Sequence, residues 1–464
     1  MANISKPLST TRRSFIKHST VFLGATFAAP MILAQSVTGA NSKLRIAWIG
    51  LGSQGKRDMR RSVNGHELVA LCDCELNSIN SADMLEQYPH AKRYQDFRIM
   101  LADMGDKIDA VGISTTDHAH FPAAYMAINM GKHVFVQKPL THTIWEARTL
   151  QELAAKKGVV TQMGNQGHAS EGARLIKEWY QAGLIGEVRE VIIWTNRPAA
   201  GVGFGTGPEF AYPEALPIPE GVNWDLWLGP STENVGYHPA LHPKTWRCWW
   251  AFGAGGLGDI GCHTIDTAYW AMDLDFPESI EVDMRDTVNP IHTPFGSVVT
   301  FNFPARGGKP PVKIKWYEGP SQPAVPEGFD YDIWEDENGG FIMVGDNGGI
   351  FHPNMRPDSP RLYPQEKWQA YRKDRENHVP KTLPRVKGGI TNDWLDAITD
   401  GRKACSDFSY AAPLTELIIL GTLAIRTGET VRWDADNMKV IGNASADKMI
   451  RDEARPGWDI KDLT

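Results

Sequence analysis

The amino-acid sequence predicts an α/β protein in which a doubly wound parallel sheet precedes a second domain built on an antiparallel sheet. Three observations carry this prediction. Apolar runs alternate with amphipathic stretches from residue 44 to residue 163, as in β-α-β units. Beyond residue 165 the alternation stops, and a region rich in glycine, proline and aromatic residues leads into further strand-like runs. The chain has 464 residues, which is enough for two to three domains.

The predicted first domain covers residues 42–165, and helical stretches follow its strands. The first strand ends in a glycine-rich turn, from which a helix continues. Short apolar runs predict buried strands at 44–49, 66–73, 109–114, 133–137 and 159–163. Helical periodicity predicts further helices at 80–88, 96–104, 119–130 and 143–157. This spacing of strands and helices is typical of a parallel sheet.

The predicted second domain covers residues 166–464 and begins with a helix and a strand. A long loop at 198–253 follows, and a loop of this length in a compact domain is usually functional. A strand is predicted at 187–196, and strands of an antiparallel sheet are predicted at 279–286, 297–303 and 312–317. Helices are predicted at 172–182, 259–272, 392–400 and 413–425.

The overall composition argues against several classes of partner and site. The formal net charge is −7, so the sequence offers no electrostatic basis for binding nucleic acid or an anionic membrane. Five cysteines, an odd and low number, argue against a disulfide framework. Because no CxxC pair occurs, a structural zinc site is not expected.

Residues 1–40 are predicted to be a twin-arginine export signal. The basic run TRRSFIK at 11–17 precedes an apolar stretch at 21–34. That stretch is shorter than the roughly 20 residues that span a bilayer, so stable membrane insertion is not expected. Twin-arginine export moves folded proteins, often with a cofactor already bound. The sequence therefore predicts a periplasmic or otherwise exported protein.

The turn GLGSQG at 50–55 predicts a dinucleotide site. It follows a predicted strand and opens a helix, which is the context that the GxGxxG fingerprint requires. Gly50 permits the tight turn, Gly52 lets the backbone approach a pyrophosphate, and Gly55 allows close packing of helix and strand. Asp73, at the end of the next strand, would accept hydrogen bonds from a ribose diol and repel a 2′-phosphate. NAD is therefore favoured over NADP.

Candidate catalytic residues stand at two places further along the chain. Lys138 follows the strand at 133–137, at the sheet edge where ligands bind in open α/β sheets. A desolvated lysine there can take part in proton transfer. Asp259, His263 and Asp266 are spaced i, i+4 and i+7 after a glycine run, which predicts one shared helix face. An N-cap role for Asp259 and a core role for His263 are the structural alternatives.

Together these motifs resemble those of the Gfo/Idh/MocA oxidoreductase family, the relatives of glucose–fructose oxidoreductase and inositol dehydrogenase. The resemblance rests on GLGSQG, on STTDHAH at 114–120, on VQKP at 136–139, on GNQ at 164–166 and on GDIGCHTID at 258–266. The family's usual Glu-Lys-Pro reads Gln-Lys-Pro in this chain. The resemblance implies a Rossmann domain followed by an α/β domain with an open, mostly antiparallel sheet.

The resemblance also implies roles for individual residues. Lys138 belongs to the catalytic group, His263 is the general acid/base, and Asp259 binds and orients the substrate or His263. Trp246 and Arg247 lie on a substrate-side or cofactor-side loop. The residues implied to contact the cofactor are Gly50, Gly52, Ser53, Gln54, Gly55, Asp73, Thr115, Thr116, His120, Gln137, Lys138, Asn165 and Gln166.

The function implied is an exported NAD-dependent oxidoreductase that acts on a hydroxyl of a sugar or glycoside, with a 3-keto product and a tightly bound nicotinamide. No metal is expected because hydride transfer needs none, although His263 with the two aspartates is an alternative metal site. Two other hypotheses stay open: a redox-neutral glycosidase or lyase that uses transient oxidation at C3, and a non-catalytic sugar-binding sensor. A homo-oligomer, either a dimer or a tetramer, is expected from the resemblance.

Overall fold

The computed structural model describes residues 43–76, 81–195, 211–243, 245–285, 289–332 and 339–464. The predicted export signal at 1–40 lies outside these residues and stays a prediction. Residues 196–210, which contain the start of the predicted long loop, also lie outside the described residues. The proposed domain boundary at residues 165–166 also stays a prediction.

The first part of the chain forms a six-stranded parallel sheet with the strand order β3-β2-β1-β4-β5-β6. This order is that of a doubly wound dinucleotide-binding fold. The strands are β1 (Arg45–Ile49), β2 (Glu67–Cys72), β3 (Lys92–Tyr94), β4 (Ala110–Ile113), β5 (His133–Val136) and β6 (Thr161–Met163). The helices are α1 (Ser53–Ser62), α2 (Ala82–Gln87), α3 (Phe97–Met104), α4 (His120–Asn129) and α5 (Ile144–Lys157).

Local chemistry explains why this sheet forms where the sequence predicts it. The strands β1 and β4 are almost entirely buried, as expected for central strands covered on both faces. Gly112 in β4 makes room for Trp48, since a Cβ there would lie 2.2 Å from the indole ring. Helix α5 begins with a capping box, in which Thr143 and Glu146 each bond the other's backbone N–H. The strand of this sheet that the sequence analysis does not predict, β3, is a short and largely polar edge strand.

The second part of the chain forms a seven-stranded mixed sheet with the order β13-β12-β11-β7-β10-β9-β8. All neighbouring pairs are antiparallel except β7 with β10, which is parallel. The strands are β7 (Val188–Thr195), β8 (Ser279–Arg285), β9 (Ser297–Phe303), β10 (Val312–Glu318), β11 (Gly340–Gly345), β12 (Gly348–Pro353) and β13 (Arg361–Tyr363). The α/β fold predicted from the sequence is thus confirmed.

Helices of the second part pack on its sheet and return to the first sheet. They are α6 (Glu171–Gln181), α7 (Trp224–Leu228), α8 (Cys262–Ala271), α9 (Gln365–Lys373), α10 (Gly389–Asp400), α11 (Phe408–Thr427) and α12 (Ala444–Lys448), with a small hairpin of β14 (Arg432–Asp434) and β15 (Lys439–Ile441). Helix α11 packs against α5 and β8, and α10 packs against α1. Helix α11 is long and apolar enough to cross a bilayer, but 83% of its apolar window is buried inside the protein, as in a core helix.

The sequence prediction missed the hairpin of β11 and β12 and placed the start of α11 too late. Both hairpin strands are short apolar runs bounded by glycines, so no alternating pattern marks them. The helix predicted from the sequence begins at Pro413. The helix instead begins at Phe408, where buried apolar side chains extend it by packing.

Candidate active site

A cleft of about 770 Å³ lies at the carboxyl ends of the parallel strands, between the first sheet and segments of the second part. Strand-end residues such as Asp73, Thr115 and Lys138 line it from the first sheet. Trp246 and His263 line it from the second part. Its volume is that of a typical ligand site, and its position matches the switch point where doubly wound folds bind ligands.

The glycine-rich turn has the geometry of a dinucleotide cradle. Gly50 adopts a φ of +89°, and a Cβ there would lie 2.4 Å from the Ser114 carbonyl oxygen. A Cβ at Gly55 would lie 2.1 Å from the Gly50 carbonyl oxygen, so helix and strand meet too closely for a side chain. Above Gly52, by contrast, a Cβ would meet no atom within 4 Å. This open space at the start of α1 fits a pyrophosphate, which a helix N-terminus binds through its N–H groups and dipole.

Two acidic residues stand at the end of β2, where the ribose of a dinucleotide would lie. Asp73 accepts hydrogen bonds from the backbone N–H of Leu51 at 2.6 Å and of Glu75 at 2.9 Å. Burial raises the pKa of Asp73. Glu75 also lines the cleft, and it accepts a hydrogen bond at 2.7 Å from Nε2 of His242. Two neighbouring carboxyl groups disfavour a 2′-phosphate at this end of the cleft.

Lys138, Asp259 and Arg247 form a charged network on the cleft wall. The Lys138 ammonium forms a salt bridge with the Asp259 carboxylate and donates to the Asp259 carbonyl oxygen at 3.0 Å. Arg247 Nε donates to Asp259 Oδ1 at 3.0 Å. Burial alone would raise the pKa of Asp259, but the charges of Lys138 and Arg247 outweigh burial and hold it well below its usual range. Asp259 is therefore a permanent carboxylate that orients two cations.

His263 shares the cleft with this network, whereas Asp266 does not. His263 lines the cleft and is only 2% exposed. Residues Leu257–Gly261 form a π-helical turn ahead of α8, which rotates the chain less per residue than an α-helix does. Asp266, further along α8, does not line the cleft and accepts from His168 Nδ1 at 3.0 Å and from the Tyr410 hydroxyl at 2.5 Å. The expectation that all three side chains share one face is wrong for Asp266.

Most of the other sequence-predicted site residues also reach the cleft. Two do not: His120 and Asn165 are almost completely buried behind its wall. His120 donates from Nδ1 to the Pro139 carbonyl oxygen at 2.9 Å, beside Lys138. The predicted residues that line the cleft are Gly50, Gly52, Ser53, Gln54, Gly55, Asp73, Thr115, Thr116, Gln137, Lys138, Gln166, Trp246, Arg247, Asp259 and His263.

Two buried aspartates beside the cleft escaped the sequence analysis. Asp58 in α1 accepts from Gln137 Nε2 at 2.6 Å and from Gln54 Nε2 at 3.0 Å, and burial raises its pKa to about 6. Asp117 lines the cleft and accepts from the Ala254 backbone N–H at 3.1 Å, and burial raises its pKa to about 6. Asp58 had no sequence signal beyond its place in the first helix. Asp117 stands within the motif STTDHAH, which could have marked it as a candidate.

Segments from far along the chain complete the cleft wall. Trp227 belongs to the region 198–253, which is rich in glycine, proline and aromatic residues. Residues 354–356 and 358 lie in the loop between β12 and β13, and Trp458 lies in the C-terminal segment. Sequence reasoning had no means to place these segments beside the glycine turn. Among the described ranges, no group of three or more His, Cys, Asp or Glu side chains is arranged to hold a metal ion.

Two segments of this chain match models of one oxidoreductase family. Residues 44–165 match the model of an oxidoreductase family with an NAD-binding Rossmann fold. Residues 198–298 match the C-terminal α/β domain of the same family.

Curated relatives are similar over about a third of the chain. Inositol 2-dehydrogenase from Salmonella typhimurium is 29% identical over 178 residues, which are 37% of this chain and 50% of that protein. D-glucoside 3-dehydrogenase from Escherichia coli is 28% identical over 151 residues, 32% of this chain and 42% of that protein. The chain thus spans about half the length of the inositol 2-dehydrogenases that it matches.

A solved structure extends the similarity of fold to most of the chain. The aldose-aldose oxidoreductase from Caulobacter crescentus superposes with a TM-score of 0.55 at 16% identity. The superposition covers 84% of this chain and all of that one. At this level of identity the likeness concerns the fold alone.

Proposed function

We propose that this chain, which matches models of the Gfo/Idh/MocA oxidoreductase family over residues 44–165 and 198–298, is a member of that family and oxidises a hydroxyl group of a sugar or glycoside. Its cofactor is NAD. The observation that carries the proposal is the placement of Lys138, Asp259 and His263 on one cleft with the glycine turn. Proton-transfer groups and a dinucleotide cradle in one cleft are what hydride chemistry requires.

The residues of the cleft have separate roles in the oxidation of an alcohol. The glycine turn would hold NAD, which would supply the acceptor for the hydride that leaves the carbon bearing the hydroxyl group. His263 accepts the hydroxyl proton, so that the C–O single bond becomes a carbonyl. The Lys138 ammonium, oriented by Asp259, stabilises the negative charge that develops on the same oxygen. Asp259 accepts no proton itself, because its two cationic partners keep it ionised.

Carbohydrate is the substrate class that we propose. Trp227 and Trp246 line the cleft, and aromatic rings offer apolar faces to the C–H groups of a sugar ring. Likeness to a D-glucoside 3-dehydrogenase and to inositol dehydrogenases supports a cyclic polyol, and favours a 3-keto glycoside as the product.

The decisive experiment identifies the cofactor and then the reaction. Denaturing the purified protein is expected to release NAD, which chromatography with mass detection identifies. A panel of glycosides and free sugars is then incubated with the holoenzyme, and products that have lost two hydrogen atoms are sought. Release of an aglycone without a change in nicotinamide redox state would indicate redox-neutral cleavage instead. Binding of glycosides without any turnover would indicate a sensor.

We further propose that the chain is exported by the twin-arginine route with NAD bound, and that it assembles as a dimer or tetramer. The basic TRRSFIK run and the apolar stretch after it support export. Replacing Arg12 and Arg13 together by lysine is expected to leave the protein in the cytoplasm. Cell fractionation and immunoblotting measure this, and equal export of both proteins would refute the proposal.

A further inference from the structure

The loop that joins β12 to β13 reaches the cofactor cleft from the second sheet. We call residues 354–358 the clamp loop. Four of them, Asn354, Met355, Arg356 and Asp358, line the same cleft as Gly52 and Ser53 at the start of α1. A segment of the second part of the chain thus shares the cleft with the turn that would hold the dinucleotide phosphates.

The clamp loop has a defined backbone around Arg356. Asn354 adopts a φ of +66°, a left-handed conformation that asparagine tolerates better than most residues. Its side-chain oxygen accepts from the Arg356 N–H at 3.0 Å. The Asp358 N–H then donates to the Arg356 carbonyl oxygen at 2.8 Å. These bonds on both sides of Arg356 determine where its side chain leaves the backbone.

The clamp loop also packs tightly on the segment that follows β6. Ser170 donates from its hydroxyl to the Pro357 carbonyl oxygen at 3.4 Å. A Cβ at Gly172 would lie 1.6 Å from that oxygen, and a Cβ at Gly167 would lie 3.1 Å from the Pro357 ring. Only glycine allows such close approach at residue 172. The loop is therefore held in place next to Gln166, which is itself part of the cleft wall.

Within this loop, the Arg356 side chain lies on the cleft wall beside Gln166. Its Nη2 donates to Gln166 Oε1 at 3.3 Å. Its charge also acts on Asp58 in α1, where it opposes the rise in pKa that burial causes. The first turn of α1 has no acidic residue, and no side chain caps its N-terminus. An anion bound there would meet the helix N–H groups on one side and a guanidinium on the other.

We infer that Arg356 binds the diphosphate of the dinucleotide, so that the cofactor is held between the glycine turn and the clamp loop. This inference rests on the proposed function, since it requires a dinucleotide in the cleft. A guanidinium matches phosphate oxygens in a bidentate geometry and keeps its charge at any physiological pH. Contacts from both parts of the chain would slow cofactor release, as an enzyme that keeps its nicotinamide between turnovers requires.

The test compares the holoenzyme with the Arg356→Gln variant. Calorimetry on nucleotide-free preparations of each measures binding of NAD, ADP-ribose and adenosine, and dialysis of each holoenzyme measures the rate of NAD loss. Arg356→Gln is expected to weaken the binding of NAD and of ADP-ribose about tenfold or more and to leave the binding of adenosine unchanged. It is also expected to increase the rate at which the holoenzyme loses NAD. The matched control is Arg361→Gln, an exposed arginine on β13 outside the cleft, which should behave as wild type.

Each outcome bears on one proposal. If wild-type protein binds none of the three ligands, the proposed function fails. If wild type binds ADP-ribose and Arg356→Gln binds it equally well, only the inference about Arg356 fails. An equal loss of affinity for adenosine and for ADP-ribose would also overturn the inference about Arg356, since that result would show a general change in the cleft. Should the glutamine variant not fold, Arg356→Lys, which keeps the charge but not the planar fork, must still weaken ADP-ribose more than adenosine.

Discussion

The orientation of the cations Lys138 and Arg247 on the cleft wall depends on Asp259. Its carboxylate holds both Lys138 and Arg247, and the combined charge of the two cations keeps it ionised. Removing the charge while keeping the shape would leave Lys138 poorly oriented toward a substrate oxygen.

We therefore expect Asp259→Asn to lower kcat about 10²-fold or more, with bound NAD retained, because the change affects proton transfer rather than the cradle. Steady-state kinetics and nucleotide content check this on the purified variant. Asp103→Asn, an exposed carboxyl on α3 far from the cleft lining, serves as the control. A variant with unchanged kcat would remove Asp259 from the mechanism.

The raised pKa of Asp58 predicts how the free energy of unfolding depends on pH. Its side chain is fully buried, and burial raises its pKa from 3.8 to about 6. Because the folded state holds the proton more tightly, the contribution of Asp58 to stability is present at low pH and is lost as the pH rises from about 4 through 6. The loss is about 3 kcal/mol at most.

Relative to wild type, Asp58→Asn should therefore gain unfolding free energy as the pH rises from 4 to 8. Urea unfolding of both proteins across that range measures the difference. Any constant effect of the substitution on packing cancels from the comparison. A difference that does not change with pH would contradict the assignment.

At the scale of elements, helix α8 and the π-helical turn before it carry polar residues with different roles. Asp259 and His263 line the cleft wall, whereas Asp266 makes a buried contact with His168 and Tyr410. Asp266 is therefore a structural residue, whereas the regular spacing had grouped it with the other two.

Asp266→Asn is accordingly expected to cost about 1–3 kcal/mol of stability, since it weakens charge-assisted bonds inside the protein. The kcat of the folded variant should change by less than a few-fold. Chemical denaturation and kinetics at a permissive temperature separate the two effects. A large fall in kcat without loss of stability would return Asp266 to the catalytic group.

At the scale of the whole molecule, the cofactor cleft is built from both parts of the chain. Residues from the parallel sheet, the aromatic region, the clamp loop and the C-terminal segment all line it. A ligand in such a cleft binds only the folded chain, so it adds to stability by mass action.

Stripping NAD from the purified protein is expected to lower Tm by several degrees, and adding NAD back should restore it in a concentration-dependent way. Differential scanning calorimetry measures both steps. Adenosine at the same concentration is the control, because it occupies only part of the cleft and should raise Tm less than NAD does. An apoprotein with the Tm of the holoenzyme would show that the cleft does not hold the cofactor tightly.

Local sequence determined the features that depend on neighbouring residues. The glycine turn, its strand and helix, and Asp73 at the next strand end all follow from short-range geometry, so the parallel sheet and its NAD site were predictable. The placement of Lys138 also followed, because a residue at the carboxyl end of a parallel strand must lie at the ligand edge.

Only the tertiary structure decided which distant residues meet at that edge. The pairing of Asp58 with Gln137, the sharing of Asp259 by Lys138 and Arg247, and the position of Arg356 join residues that lie far apart in sequence. The buried contact of Asp266 with His168 and Tyr410 likewise joins residues that lie far apart in sequence, so the spacing alone could not separate Asp266 from His263. Periodicity reports the face of a single element, whereas contacts between elements depend on how those faces pack together.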